Sequence, residues 1–136
     1  MMTVEQRRAA DAMARVNELS SQSEGFKKRY RAYVDRLCPT IVMNGLGQAL
    51  ATERAAAGSD PRKDKDDEWA HYELYESLRR WLCRDDGGVY PSKPDLLQAI
   101  MSHDESLYLR AQAEALAWLD WHKKFSRATF PQGEEG

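Results

Sequence analysis

The chain has 136 residues, a net charge of −2, 42% hydrophobic residues and 31% charged residues. That length suits one domain with a real core and is too short for two. The weak net charge excludes a protein that coats nucleic acid with its whole surface, and no apolar run approaches the roughly 20 residues that cross a bilayer.

The opening stretch, MMTVEQRRAADAMARV, lacks a secretory apolar region and carries Glu5 and Asp11, so it does not read as a signal peptide. A first helix is expected over about residues 3–21. Thr3 is placed to cap it, Gln6 to complete a capping box, and Val4, Ala9, Met13, Val16 and Leu19 to form its apolar stripe. SSQSEG interrupts, and a second helix then carries Phe26, Tyr30, Tyr33, Val34 and Leu37 on one face. The segment IVMNGLGQAL, residues 41–50, holds an Asn-Gly pair that normally signals a turn. Its apolar residues nevertheless recur at helical period. The spacing therefore predicts a central, nearly enclosed helix, with Pro39 in its first turn and Gly45 admitting a close neighbour.

AAAGSDPRKDKDDE is the clearest break, with Gly58 as a helix terminator and a charged, mobile loop expected over about 58–66. A fourth helix over about 67–84 sets Trp69, Tyr72, Leu74, Tyr75, Leu78, Trp81 and Leu82 around a broad arc. Pro94 opens a short fifth helix, and SHDES caps a long sixth that stacks Leu107, Ala111, Ala115, Trp118, His122 and Phe125. Residues 131–136 read as a polar tail. No stretch alternates cleanly enough for a strand. The expected fold is all-α, a single compact bundle of about six helices forming one domain over 1–130.

Chemistry is hard to find. The three histidines show no metal-binding spacing, and His122 reads as a hydrogen-bonded, half-buried side chain of the sixth helix. Cys38 and Cys83 are far apart and sit beside apolar residues, so they read as core thiols in a reducing compartment. The loop carboxylates lack the spacing of a calcium loop, and NGLGQ lacks the Lys-Ser/Thr of a phosphate loop. No set of side chains has assignable catalytic roles, so neither an enzyme nor a cofactor is expected.

The charge is unevenly spread. Residues 1–40 hold eight Lys/Arg against five Asp/Glu, residues 67–105 four against nine, and residues 106–130 four against two. FKKRYRAYVDRL fans Lys27, Lys28, Arg29, Arg31 and Arg36 away from the aromatic face, with Asp35 the one offset. WHKKFSR does the same with Lys123, Lys124 and Arg127. Each alone is equally well read as an ordinary solvated helix face. Brought together, they would form a surface that tracks phosphates.

Two motifs in order then carry a resemblance over most of residues 4–128. The first is Leu37, Pro39, Ile41, Asn44, Gly45, Leu46 and Leu50 after a Tyr-rich segment; the second is Tyr108, Glu114, Ala115, Leu116, Leu119, Trp121, Lys123 and Phe125. The chain resembles the small helical subunit of the Cmr complex, the type III-B CRISPR effector that targets RNA. His122 departs from the apolar or basic residue expected there. The resemblance implies a non-catalytic, cytoplasmic subunit of a ribonucleoprotein. Its implied partners are the large subunit, the backbone subunits, further copies of itself, guide RNA and target single-stranded RNA. Lys27, Lys28, Arg31, Lys123, Lys124 and Arg127 are then the expected RNA contacts, and Asn44, Gly45 and Trp121 are expected to serve packing. Two other readings remain open: a helical protein-interaction adaptor led by the acidic fourth helix, and a DNA-binding regulator, for which no polar, basic recognition helix is seen.

Overall fold

The computed structural model describes residues 1–133, so Glu134, Glu135 and Gly136 of the expected polar tail lie outside the described residues. Six helices and no strand occur among the described residues. They are α1 (Val4–Leu19), α2 (Glu24–Asn44), α3 (Leu46–Ala57), α4 (Asp66–Leu82), α5 (Leu96–Ser102) and α6 (Glu105–Thr129). α1 lies on α6, α2 packs against both α4 and α6, and α3 closes on α4. The result is the expected all-α bundle.

Capping chemistry explains most boundaries. The Thr3 side chain accepts from the Gln6 amide while the Gln6 side chain accepts from the Thr3 amide, the expected capping box. Ser23, Asp95 and Asp104 each accept from an amide three residues ahead and open α2, α5 and α6. Gly58, at φ 83°, ends α3. The face expected for α2 is the buried one, extended by Ile41. On α1 the buried stripe is rotated from the expected one: Ala12, Arg15, Val16 and Leu19 point inward while Val4 is exposed.

Residues 41–50 do not form one helix. α2 continues through Pro39, which sits on its exposed side, and ends at Asn44. Gly45 adopts φ 88° and ψ 158°, a conformation that L side chains rarely adopt, and α3 starts at the next residue. The Gly45 amide closes α2 on the Ile41 carbonyl at 2.7 Å, and its carbonyl accepts from Ala49 at 3.1 Å to open α3. With no side-chain N-cap, the first amides of α3 are satisfied from α6: Leu46 donates to Gln112 Oε1 at 2.9 Å and Gly47 to Tyr108 Oη at 3.0 Å. The apolar residues on either side of Gly45 therefore belong to two helices, and the enclosed circumference they suggested does not exist. Val42 and Met43 are 70% and 82% exposed, and Asn44 is exposed as well.

The core holds a chain of polar groups. His122 is fully buried where half-burial was expected. Its Nδ1 lies 3.1 Å from the Ala12 carbonyl, which can only accept, so Nδ1 carries the proton. Nε2 then accepts from Tyr30 Oη at 2.6 Å. Ser77 Oγ lies 2.8 Å from Tyr30 Oη and accepts from the buried Arg15 Nε at 2.7 Å. Arg15 is further held by the Glu73 carbonyl at 3.0 Å and by Glu18 Oε1 at 3.2 Å. Burial without a carboxylate partner pushes the His122 imidazole down to about 3.

Two results are expected. Gly45→Ala forces a side chain into positive φ and brings its Cβ to 3.0 Å from Tyr108 Oη, so it should destabilise by about 1–2 kcal/mol in chemical denaturation. A variant as stable as the parent would contradict the helix break. His122 is the second case. Unfolded, it titrates near its ordinary 6.5, whereas folded it refuses a proton until about 3. Its contribution to stability is thus fully present above about pH 6.5 and falls away as pH drops toward 3, by up to about 1.4 kcal/mol per pH unit. His122→Gln should flatten the acid limb of a stability–pH curve relative to the parent, the carboxylates being common to both.

Candidate functional site

The antiparallel crossing of α2 and α6 brings the two basic segments onto one seam. Arg31 Nη1 donates to the Phe130 carbonyl at 3.0 Å, just past the end of α6. One turn further along α2, Asp35 Oδ1 accepts from Arg127 Nε at 2.9 Å. Beyond that, Cys38 lies in the field of Lys123, Arg127, Asp35 and Asp120, and burial pushes its thiol up. Helical geometry dictates this order. Arg31, Asp35 and Cys38 recur three and four residues apart on α2, and Lys123 and Arg127 four apart on α6.

The six residues expected to contact RNA do not stand alike. Lys27 turns back toward the end of α1, where its Nζ reaches the Ser20 carbonyl at 3.3 Å, and pairs with Glu24 of its own helix at 2.9 Å; only 17% of its side chain is exposed. Lys124 pairs with Asp120 at 3.0 Å along α6. Arg127 is tied to Asp35, and Arg31 to a main-chain oxygen. Lys28 and Lys123 have no ion-pair partner among the described residues. Lys28 lines a shallow groove with Arg31, Ala32, Asp35, Gln132 and Gly133. A second groove, sharing Lys28, runs on past Arg29 toward Tyr33. The structure thus joins the two segments but interleaves them with Asp35 and Asp120. A seam of this kind can hold phosphate oxygens through Lys and Arg donors and offers nothing that reads bases.

Other polar clusters brace the helices. Arg8 grips Glu114 with two hydrogen bonds, 2.7 and 2.9 Å, and Trp81 Nε1 donates to the same carboxylate at 3.1 Å, which links α1, α4 and α6. Hydrogen bonds from Arg8 and Trp81 hold the Glu114 carboxyl below its ordinary value against the opposing effect of burial. On the other side, Tyr33 stacks on His71 at 3.9 Å and donates to Asp67, while His71 Nδ1 bonds Glu53. Cys83 is buried and its thiol is pushed up to about 11 by desolvation; Cys38 is half-buried. Among the described residues no group of three or more His, Cys, Asp or Glu is placed to hold a metal ion. No described helix is long and apolar enough to cross a membrane.

The motif residues mostly build this frame. Leu37, Ile41, Leu46, Leu50, Ala115 and Leu119 are buried, Tyr108 caps α3, and Trp121 Nε1 donates to Glu5 at 3.2 Å. The amide-capping roles of Tyr108 and Gln112 were missed in sequence, where only the polar ends of residues on the inward side of α6 hinted at them.

Known proteins agree with this frame. The family model described as "CRISPR-associated protein (Cas_Cmr5)" matches residues 4–129. A crystal structure of a CRISPR-associated Cmr5 family protein from Thermus thermophilus superposes with a TM-score of 0.69 at 26% identity, covering 96% of this chain and 100% of that one. The family match runs over the same span as the six helices, from Val4 to Thr129: the chain belongs to the Cmr5 family of CRISPR-associated proteins.

Proposed function

We propose that this chain is a non-catalytic small subunit of a type III-B Cmr ribonucleoprotein effector, and that it braces the guide RNA–target RNA duplex and supports assembly. The observation that carries the reading is the α2–α6 seam, where Arg31 of α2 reaches the Phe130 carbonyl and Arg127 of α6 reaches Asp35, in a chain of the Cmr5 family. Sequence choice in such a particle belongs to base pairing, and the protein's part is to hold backbone phosphates. Lys28 and Lys123 are the primary contacts, Arg31, Lys124 and Arg127 the secondary ones, and Lys27 a contact at the edge. Partners are the large subunit, the backbone subunits, further copies of this chain, guide RNA and target RNA, in the cytoplasm. Repeated copies raise the local number of cations, so a surface that is weak alone gains strength by avidity.

A second reading, an interaction adaptor with no nucleic-acid role, draws support from the acids that pair with Lys27, Lys124 and Arg127. The two readings separate in one experiment. The double variant Lys28→Glu, Lys123→Glu should lower target RNA capture by the assembled, guide-loaded complex about tenfold or more at moderate salt. Its melting temperature and its incorporation into the complex should stay as in the parent. Unchanged capture with unchanged incorporation would favour the adaptor.

A further inference from the structure

We propose that Asp35 sets the strength of the α2–α6 surface: its carboxylate holds Arg127 until a polyanion displaces it. The inference rests on the phosphate-contact reading above and concerns how that site is tuned.

Three observations carry it. Among the described residues that line the groove of Lys28 and Arg31, Asp35 is the one acid, so an incoming phosphate meets it at close range. Its partner Arg127 comes from the other helix, at 2.9 Å, with about half of its side chain exposed. The guanidinium is therefore within reach of solvent but already committed. Lastly, α2 and α6 are tied independently by Arg31 on the Phe130 carbonyl and by the buried Tyr30–His122 bond, so the Asp35–Arg127 pair is not needed to hold the helices together.

The chemistry follows from exchange. A carboxylate and a phosphate oxygen make comparable charge-assisted bonds to a guanidinium. Moving Arg127 from one to the other gains little, and it leaves Asp35 uncompensated beside the arriving anion. A single phosphate is thus held poorly. An array that also engages Lys28, Arg31 and Lys123 overcomes the competition, because those cations do not depend on Asp35 for their pairing. The Asp120–Lys124 pair differs: both side chains are on α6, four residues apart, and about 60% exposed, so Lys124 reaches a phosphate with less competition.

The test uses the full-length chain and a fluorescein-labelled 30-nucleotide oligouridylate, with anisotropy titrations over a range of salt concentrations. Asp35→Asn keeps an acceptor for Arg127 and removes the charge. It should bind about fivefold more tightly than the parent, with the slope of log affinity against log salt steeper by about 0.7. Asp60→Asn, in the α3–α4 connection, makes the same change in net charge and should shift affinity far less. Adding Arg127→Gln to Asp35→Asn should erase most of the gain. An Asp35→Asn affinity no higher than that of Asp60→Asn would overturn the inference and leave the phosphate reading standing. Loss of the phosphate reading looks different: Lys28→Glu with Lys123→Glu would bind as the parent does, and the inference would fall with it.

Discussion

The fold turns on one buried line of hydrogen bonds that runs from Arg15 through Ser77 and Tyr30 to His122 and the Ala12 carbonyl. It ties α1, α2, α4 and α6 at their common centre. Each of these groups would be costly to bury alone, and each finds its partner only when all four helices are in register. Apolar stripes tolerate small slips along or around a helix. A chain of fixed donors and acceptors does not, so it selects one arrangement from the many that leucine and tyrosine faces would allow.

That register decides where the surface charges go. With Tyr30 and His122 locked together, the outward flanks of α2 and α6 must lie side by side, and Arg31 and Arg127 come to the same seam. The same crossing brings Asp35 against Arg127. A basic surface and its internal competitor thus arise from one packing event. This accounts for a chain with net charge −2 that still carries a local track of cations. The acidic fourth helix faces α2 through Asp67, which accepts from Tyr33, and α3 through His71, which bonds Glu53.

Helix identity was largely legible because caps and period are local. Thr3 with Gln6, Gly58 and Asp104 act on amides and carbonyls within a few residues, and the α2 stripe from Phe26 to Leu37 is buried as its spacing requires. The misreadings share a cause. Across Asn44 and Gly45 the apolar spacing continues by coincidence, and the break is stabilised by Tyr108 and Gln112, more than 60 positions away. On α1, Arg15 is inside because Ser77 and Glu73 await its guanidinium, a reason invisible in the segment itself.

The sequence by itself determined the class of fold, the ends of most helices, the location of the cations and the family signature, because each rests on neighbouring residues or on pattern. Only the tertiary structure decided that the two basic segments meet, which cations are already paired, where the chain breaks at Gly45 and why His122 is neutral. Those outcomes depend on contacts between residues far apart in the chain, whose distances are set by the packing of whole helices and not by any local preference.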